Sequence, residues 1–197
     1  MRKNRKCYLF LFNEYADWEP ALAIATLRKY SNFSIVTFTK DGLPVQSMGG
    51  LKIHPDTSLS EINSAHIDLL ILPGGDVWSE GGNEEIAPLV QSIADRSGNI
   101  AICDSTIFLA KHGYLNRVWH TSNGPLYLSD KVASYTGEQW YEDLPCVVYD
   151  NLITANGAGM IEFAIEIFRQ QNAMDEATIE KLYDLYRSGG VKNAFYQ

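Results

Sequence analysis

Five consecutive apolar and aromatic residues, Tyr8-Leu9-Phe10-Leu11-Phe12, constrain the fold of this chain more than any other stretch. No polar side chain interrupts them, so a strand made from them has no face to give to water. Such a strand belongs inside a parallel sheet covered on both sides. A parallel neighbour requires a crossover, and residues 18–30 read as the crossover helix, with Trp18, Leu22, Ala25 and Leu27 as its apolar stripe. Residues 33–39 then return to β-favouring types. A second unit starts at Ile67-Asp68-Leu69-Leu70-Ile71-Leu72, breaks at Pro73-Gly74-Gly75 and resumes as a helix around residues 84–94. Asn99-Ile100-Ala101-Ile102 predicts another short buried strand, followed by a helix over 106–112 that Gly113 ends. The runs 146–149 and 152–155 flank Asp150-Asn151 as a hairpin. A helix follows over 160–169, and a last one over 177–186 carries Ile179, Leu182, Tyr183 and Tyr186.

Strands alternating with helices predict a three-layer, doubly wound, mostly parallel α/β sheet, in which ligands sit beyond the carboxyl ends of the strands. The 197 residues fit one domain, 1–197, with a helical extension over about 173–197. Hydrophobic residues at 46% and charged residues at 20% support a packed core. Sixteen basic against twenty-four acidic residues give a net charge of −8, so a surface that tracks phosphates would work against the whole field, and no nucleic-acid partner is expected. The basic start Arg2-Lys3-Asn4-Arg5-Lys6 reads as a solvated tip before the first strand. The apolar run behind it stops at Asn13-Glu14, short of a secretory core of about 7–15 residues and far short of a membrane span. A cytoplasmic protein with no membrane contact is the expectation. Cys7, Cys103 and Cys146 are odd in number and widely spaced, which argues against both a disulfide framework and a metal site. Cys7 and Cys146, inside apparent strands, are expected in the core.

Three strand ends carry unusual residues: Glu19 after the first strand, Gly74-Gly75 after the second unit, and Cys103 directly after Ile100-Ala101-Ile102. A cysteine between a buried strand and a helix start sits where free N–H groups and the helix dipole favour the thiolate, below the usual thiol pKa of ~8.5. The backbone N–H groups of Gly75 and Asp104 are then candidates to bind the oxyanion formed when a thiolate attacks a carbonyl. Each feature also has a plainer reading. Cys103 reads equally as a core thiol, Gly74-Gly75 as an ordinary turn, and Glu19 as a first-turn glutamate beside Pro20 that offsets the dipole.

Taken together, these residues resemble the PfpI-like superfamily of intracellular protease/amidase-like and Parkinson-associated deglycase-like proteins. The superfamily has the flavodoxin-like, class I glutamine amidotransferase-like fold. The resemblance spans nearly the whole chain. It rests on Tyr15-Ala16-Asp17-Trp18-Glu19-Pro20, Leu70-Ile71-Leu72-Pro73-Gly74-Gly75, Ile100-Ala101-Ile102-Cys103 running into Phe108-Leu109-Ala110, and Leu152-Ile153-Thr154-Ala155-Asn156-Gly157 before Glu162-Phe163-Ala164. It implies a nucleophilic Cys103 hydrogen-bonded by Glu19, an oxyanion hole at Gly75 and Asp104, and a homodimer. Two departures narrow the chemistry. Protease-like members carry a histidine after the cysteine, where this chain has Asp104. The segment Trp119-His120-Thr121-Ser122-Asn123 puts Asn123 where a family histidine is found, leaving His120 as the candidate base. No histidine follows His120, which rules out the late His-Glu pair of a glutaminase. The resulting expectation is a cysteine-dependent enzyme without cofactor, acting on a small-molecule carbonyl or amide substrate by hydrolysis or glyoxalase-like rearrangement. The alternative is a non-enzymatic, stress-response or redox-sensing protein whose Cys103 oxidises.

Overall fold

The structure, a computed structural model, describes residues 4–94, 105–190 and the backbone of 100–102. Its strands are β1 (Arg5–Phe10), β2 (Phe33–Thr39), β3 (Val45–Gln46), β4 (Lys52–Ile53), β5 (Thr57–Ser58), β6 (Leu69–Leu72), β7 (Ile100–Ile102), β8 (Cys146–Tyr149) and β9 (Leu152–Ala155). The helices are α1 (Trp18–Tyr30), α2 (Ala87–Ala94), α3 (Thr106–Lys111), α4 (Tyr127–Lys131), α5 (Met160–Gln170) and α6 (Glu176–Ser188). Seven strands form one sheet in the order β5-β2-β1-β6-β7-β9-β8, and β3 pairs with β4 as a separate antiparallel hairpin. Neighbours in the large sheet run parallel except β8 and β9, the hairpin turned at Asp150-Asn151. This is the doubly wound architecture that the alternation predicted.

The order reverses beside β1. The chain leaves β1 through α1 to β2 on one side, while β6 lies on the other side and leads through α2 to β7. Right-handed crossovers therefore send α1 and α2 to opposite faces. The crevice at the carboxyl ends of β1 and β6 is the topological switch point, where such sheets hold ligands. On one face α1 packs against α5, which packs in turn on β9 and α6. Tyr8 to Phe10 and all of β6 are buried, as continuous apolar runs require of central strands.

Three local expectations need correction. First, β1 begins at Arg5, inside the basic stretch read as a solvated tip. The Arg5 guanidinium lies 4.3 Å from the Phe33 ring centre and donates to the backbone carbonyl and side-chain oxygen of Gln171, so partners inside the fold offset its lost water. Second, the buried face of α1 is Glu19, Ala23, Thr26 and Leu27, whereas Trp18 is 42% exposed and Ala25 faces solvent. The stripe is rotated by about one residue because a carboxylate, not an indole, anchors the helix start. Third, Cys146 is only half-buried on the edge strand β8, while Cys7 is fully buried as expected. No helix among the described residues is long and apolar enough to cross a membrane.

Candidate functional site

Glu19 stands on the first turn of α1, just past the end of β1, and only 2% of it is exposed. Water therefore solvates almost none of its carboxylate, and the protein must do so instead. Gly74, leaving β6, donates its N–H to Glu19 Oε2 at 2.5 Å. A second tie holds the same junction, from the Ala16 N–H to the Gly74 carbonyl at 2.9 Å. The switch-point crevice is thus closed on one side by hydrogen bonds between the exits of β1 and β6.

Gly75, next along, has φ 152° and ψ 151°, a conformation that residues with a Cβ rarely adopt. A Cβ here would also stand 2.8 Å from both the Glu14 carbonyl oxygen and Phe12 Cε2. Conformation and space both demand glycine. The Gly75 carbonyl accepts from the Trp78 N–H, but the Gly75 N–H itself has no acceptor among the described residues. That free donor, beside a carboxylate at a strand end, is the feature an oxyanion site needs.

The loop after β9 supplies the third wall. Gly157 donates its N–H to Asn123 Oδ1 at 2.8 Å, and its carbonyl accepts from Trp18 Nε1 at 3.3 Å. A Cβ on Gly157 would lie 3.5 Å from Glu19 Oε1 and 3.6 Å from Asn123 Oδ1, so Glu19, Asn123 and Gly157 meet at one point. Asn123 thus stands beside Glu19 at the loop after β9. The segment carrying it is pinned by the Thr121 N–H on Thr154 Oγ1 at 2.9 Å and a bond between the Thr106 and Ser122 hydroxyls at 2.7 Å, both buried, and by the half-buried bond of Thr121 Oγ1 to the Leu144 carbonyl at 2.8 Å. Sequence reading missed these ties because each joins residues far apart in the chain, and a lone Thr or Gly gives no local signal.

His120 sits elsewhere in the network. It is fully buried, in an isolated bridge with Tyr141 rather than in a strand. Its Nδ1 lies 2.7 Å from the Val118 carbonyl and its Nε2 2.7 Å from the Tyr135 hydroxyl. A carbonyl can only accept, so Nδ1 carries the hydrogen and Nε2 accepts from Tyr135. Burial lowers the histidine pKa, with the Val118 bond opposing, and the Tyr135 hydroxyl is pushed up to about 12 by burial, helped by Glu138 and Tyr141. Both ring nitrogens are therefore committed to protein partners. These contacts suit a histidine that positions its segment, and they do not support the expectation that it moves a proton at the site.

Cys103 and Asp104, the expected nucleophile and oxyanion donor, lie outside the described residues. What precedes and follows them is described. Ile102, ending β7, is paired with Leu72 of β6 on one side and Thr154 of β9 on the other. The fully buried Ser105, at the start of α3, donates its hydroxyl to the Leu72 carbonyl at 2.9 Å. The other two thiols are poor nucleophiles: burial raises the pKa of Cys7, and burial followed by Glu166 and Glu162 raises that of Cys146. Among the described residues no group of three or more His, Cys, Asp and Glu side chains is arranged to hold a metal ion.

Known proteins share both the sequence and the fold. The DJ-1/PfpI family profile matches residues 5–170. YoaZ of Bacillus subtilis, named an uncharacterized protease, is 36% identical over 194 residues, spanning 94% of this chain and 92% of its own. The glutathione-independent glyoxalase DJR-1.2 of Caenorhabditis elegans is 28% identical over 136 residues, spanning 63% of this chain and 66% of its own. A crystal structure of a DJ-1 superfamily protein from Agrobacterium tumefaciens superposes with a TM-score of 0.86 at 35% identity, covering 94% of this chain and 99% of that one. The switch-point crevice, its buried glutamate and its Gly-Gly turn are thus carried by a chain that belongs to the DJ-1/PfpI family.

Proposed function

We propose that this protein is a cysteine-dependent enzyme acting on small carbonyl or amide compounds, with Cys103 as nucleophile and Glu19 as the group that moves the proton. The observation that carries this reading is the buried Glu19 carboxyl group bound to the Gly74 N–H, next to the Gly75 N–H, which has no acceptor among the described residues. The strand between β6 and β9 runs straight into Cys103. In this reading the thiolate forms a C–S bond to the carbonyl carbon, and the carbonyl electron pair moves onto oxygen, where the N–H groups of Gly75 and Asp104 receive it. With an ester or amide, the departing group takes a proton from Glu19 and water hydrolyses the thioester. With a 2-oxoaldehyde, the C1 hydrogen leaves as a proton and one is returned at C2, giving the thioester of a 2-hydroxy acid, which water releases. The second course needs no external oxidant, since one carbon is oxidised as its neighbour is reduced. Two negative charges do not share one small site cheaply, so an ionised Cys103 requires Glu19 to hold the proton.

The names protease and glyoxalase borne by relatives fit these two courses. Asp104 in place of a histidine, and the committed ring of His120, favour the rearrangement, which needs only one carboxyl group to shuttle a proton. The test is turnover of a panel of small dicarbonyls, esters and amides by the wild type, Cys103→Ser and Glu19→Gln. Dicarbonyl turnover that disappears in both variants is expected, and full activity in Cys103→Ser would overturn the assignment. The raised thiols of Cys7 and Cys146 favour a second reading, in which Cys103 is the thiol a mild oxidant reaches. Peroxide oxidation read cysteine by cysteine tests it, and equal oxidation of all three would exclude selective sensing.

A further inference from the structure

Two residues before Glu19, Asp17 holds the N-cap position of α1, yet its side chain caps nothing. A capping carboxylate accepts from the N–H of the second or third helical residue. Here the second is Glu19, whose N–H bonds the Ala16 carbonyl at 3.3 Å, and the third is Pro20, which has no N–H. Asp17 turns instead to the hairpin of β3 and β4, where its Oδ2 accepts from the Ser47 hydroxyl at 2.5 Å and from the Gly49 N–H at 3.1 Å. Ser47 is buried, and its oxygen accepts from the Leu51 N–H at 3.0 Å while its hydrogen goes to Asp17. A Cβ on Gly49 would stand 2.3 Å from Asp17 Oδ2, so any side chain there would push the carboxylate away. The same hairpin grips the chain leaving β1 at three more points: Gln46 N–H to Asn13 Oδ1 at 3.0 Å, Glu14 N–H to the Gln46 carbonyl at 2.8 Å, and Met48 N–H to the Tyr15 carbonyl at 2.9 Å. Of these ties to the hairpin, the one made by Asp17 is nearest Glu19 along the chain.

We infer that Asp17 is a positioning residue for the candidate site: by gripping Ser47 and Gly49 it sets the start of α1 and so holds the Glu19 carboxyl group where it serves Cys103. Asp17 can act in this way only if Glu19 works with Cys103 as proposed above. The helix start is then held between two supports, the hairpin on one side and the exit of β6, through Ala16 and the Gly74 carbonyl, on the other. Releasing one support lets the carboxyl group drift, and a displacement of about 1 Å at a reacting centre can cost about 100-fold in rate. Asp17 Oδ1 accepts no hydrogen bond among the described residues, so the role asks for one acceptor oxygen and not for a negative charge.

The experiment follows alkylation of Cys103 in the full-length protein from about pH 5 to about pH 9, read at that cysteine by mass spectrometry. A carboxyl group that donates to a thiolate lowers the thiol pKa, so its displacement raises it. Asp17→Ala should therefore slow alkylation near neutral pH about fivefold and move the profile upward, as Glu19→Gln does. Asp17→Asn keeps an oxygen for Ser47 and Gly49 and should recover most of that loss. Ser47→Ala removes one of the two donors and should slow alkylation about twofold. In a Glu19→Gln background Asp17→Ala should have no further effect, because Asp17 acts through Glu19. A wild-type profile in Asp17→Ala, an asparagine variant as slow as the alanine one, or additive losses in the double variant would each overturn the inference and leave the role of Glu19 standing. If Glu19→Gln itself leaves alkylation unchanged, the coupling of Glu19 to Cys103 fails and the positioning role fails with it. If Asp17→Ala does not fold, Ser47→Ala decides, and wild-type alkylation there refutes it.

Discussion

A buried carboxyl group needs protein partners in place of the water it has lost, and at Glu19 the Gly74 N–H is one of them. Glu19→Gln keeps an acceptor oxygen for that N–H, so it should unfold in urea within about 1 kcal/mol of the wild type while slowing Cys103 alkylation or turnover. Glu19→Leu strands the N–H without a partner and should lose about 1–3 kcal/mol of stability as well. The split between the two variants separates chemistry from folding. Gly75→Ala places a Cβ 2.8 Å from a carbonyl oxygen and an aromatic carbon, in a conformation alanine avoids, and should cost roughly 2–4 kcal/mol in the same measurement. Gly75 was legible as a turn because Pro73-Gly74-Gly75 ends an apolar run, whereas Glu19 stood out only by its place shortly after the first strand and by the family resemblance, and its burial was not legible. Nor were Gly157 and the indole of Trp18, since their roles exist only once β9 and α1 have been brought together.

The elements that could be read from sequence were those whose periodicity repeats often enough to be seen. The 13-residue α1 and the apolar β6 qualify, although the orientation of α1 was misjudged because Glu19 reads as polar and outward while it is the anchor of the buried face. The two-residue strands β3, β4 and β5 carry no period at all, and the five-residue α4 completes barely one turn. What such pieces do is settled by long-range bonds. The segment 120–123, which brings Asn123 beside Glu19, is held by the Thr121 N–H on Thr154 Oγ1. Thr154→Val preserves shape and strand preference but removes the acceptor. The Thr121 amide should then exchange with solvent at least about tenfold faster, and stability should fall by about 1–3 kcal/mol. Unchanged exchange at Thr121 would show that the segment is held without that bond.

At the scale of the whole molecule, the alternation of strands and helices was enough for the fold class. It could not give the order β5-β2-β1-β6-β7-β9-β8, because which side a crossover takes depends on packing and not on local pattern. The same packing sets how the protein responds to acid. His120 has its pKa lowered by burial, so near and below about pH 6.5 the unfolded chain binds a proton that the folded protein resists. Its contribution to stability is full above about pH 6.5 and declines as the pH falls toward the lowered folded value. The hydrogen bonds that hold Glu61 (from the Ser58 N–H first) and Asp175 (from the Thr178 hydroxyl first) below their usual range act in a lower window. Their stabilisation is present above the unfolded carboxylate pKa values of about 4 and is lost as the pH drops through the folded ones. Two descending steps are therefore expected in urea midpoints measured from pH 8 to pH 3. His120→Gln can still donate to Val118 and accept from Tyr135, but it does not titrate. It should erase the step that begins near about pH 6.5 and leave the lower one in place. If the upper step persists in that variant, another group carries it, and the buried His120–Tyr135 pair does not set the acid limit of the fold.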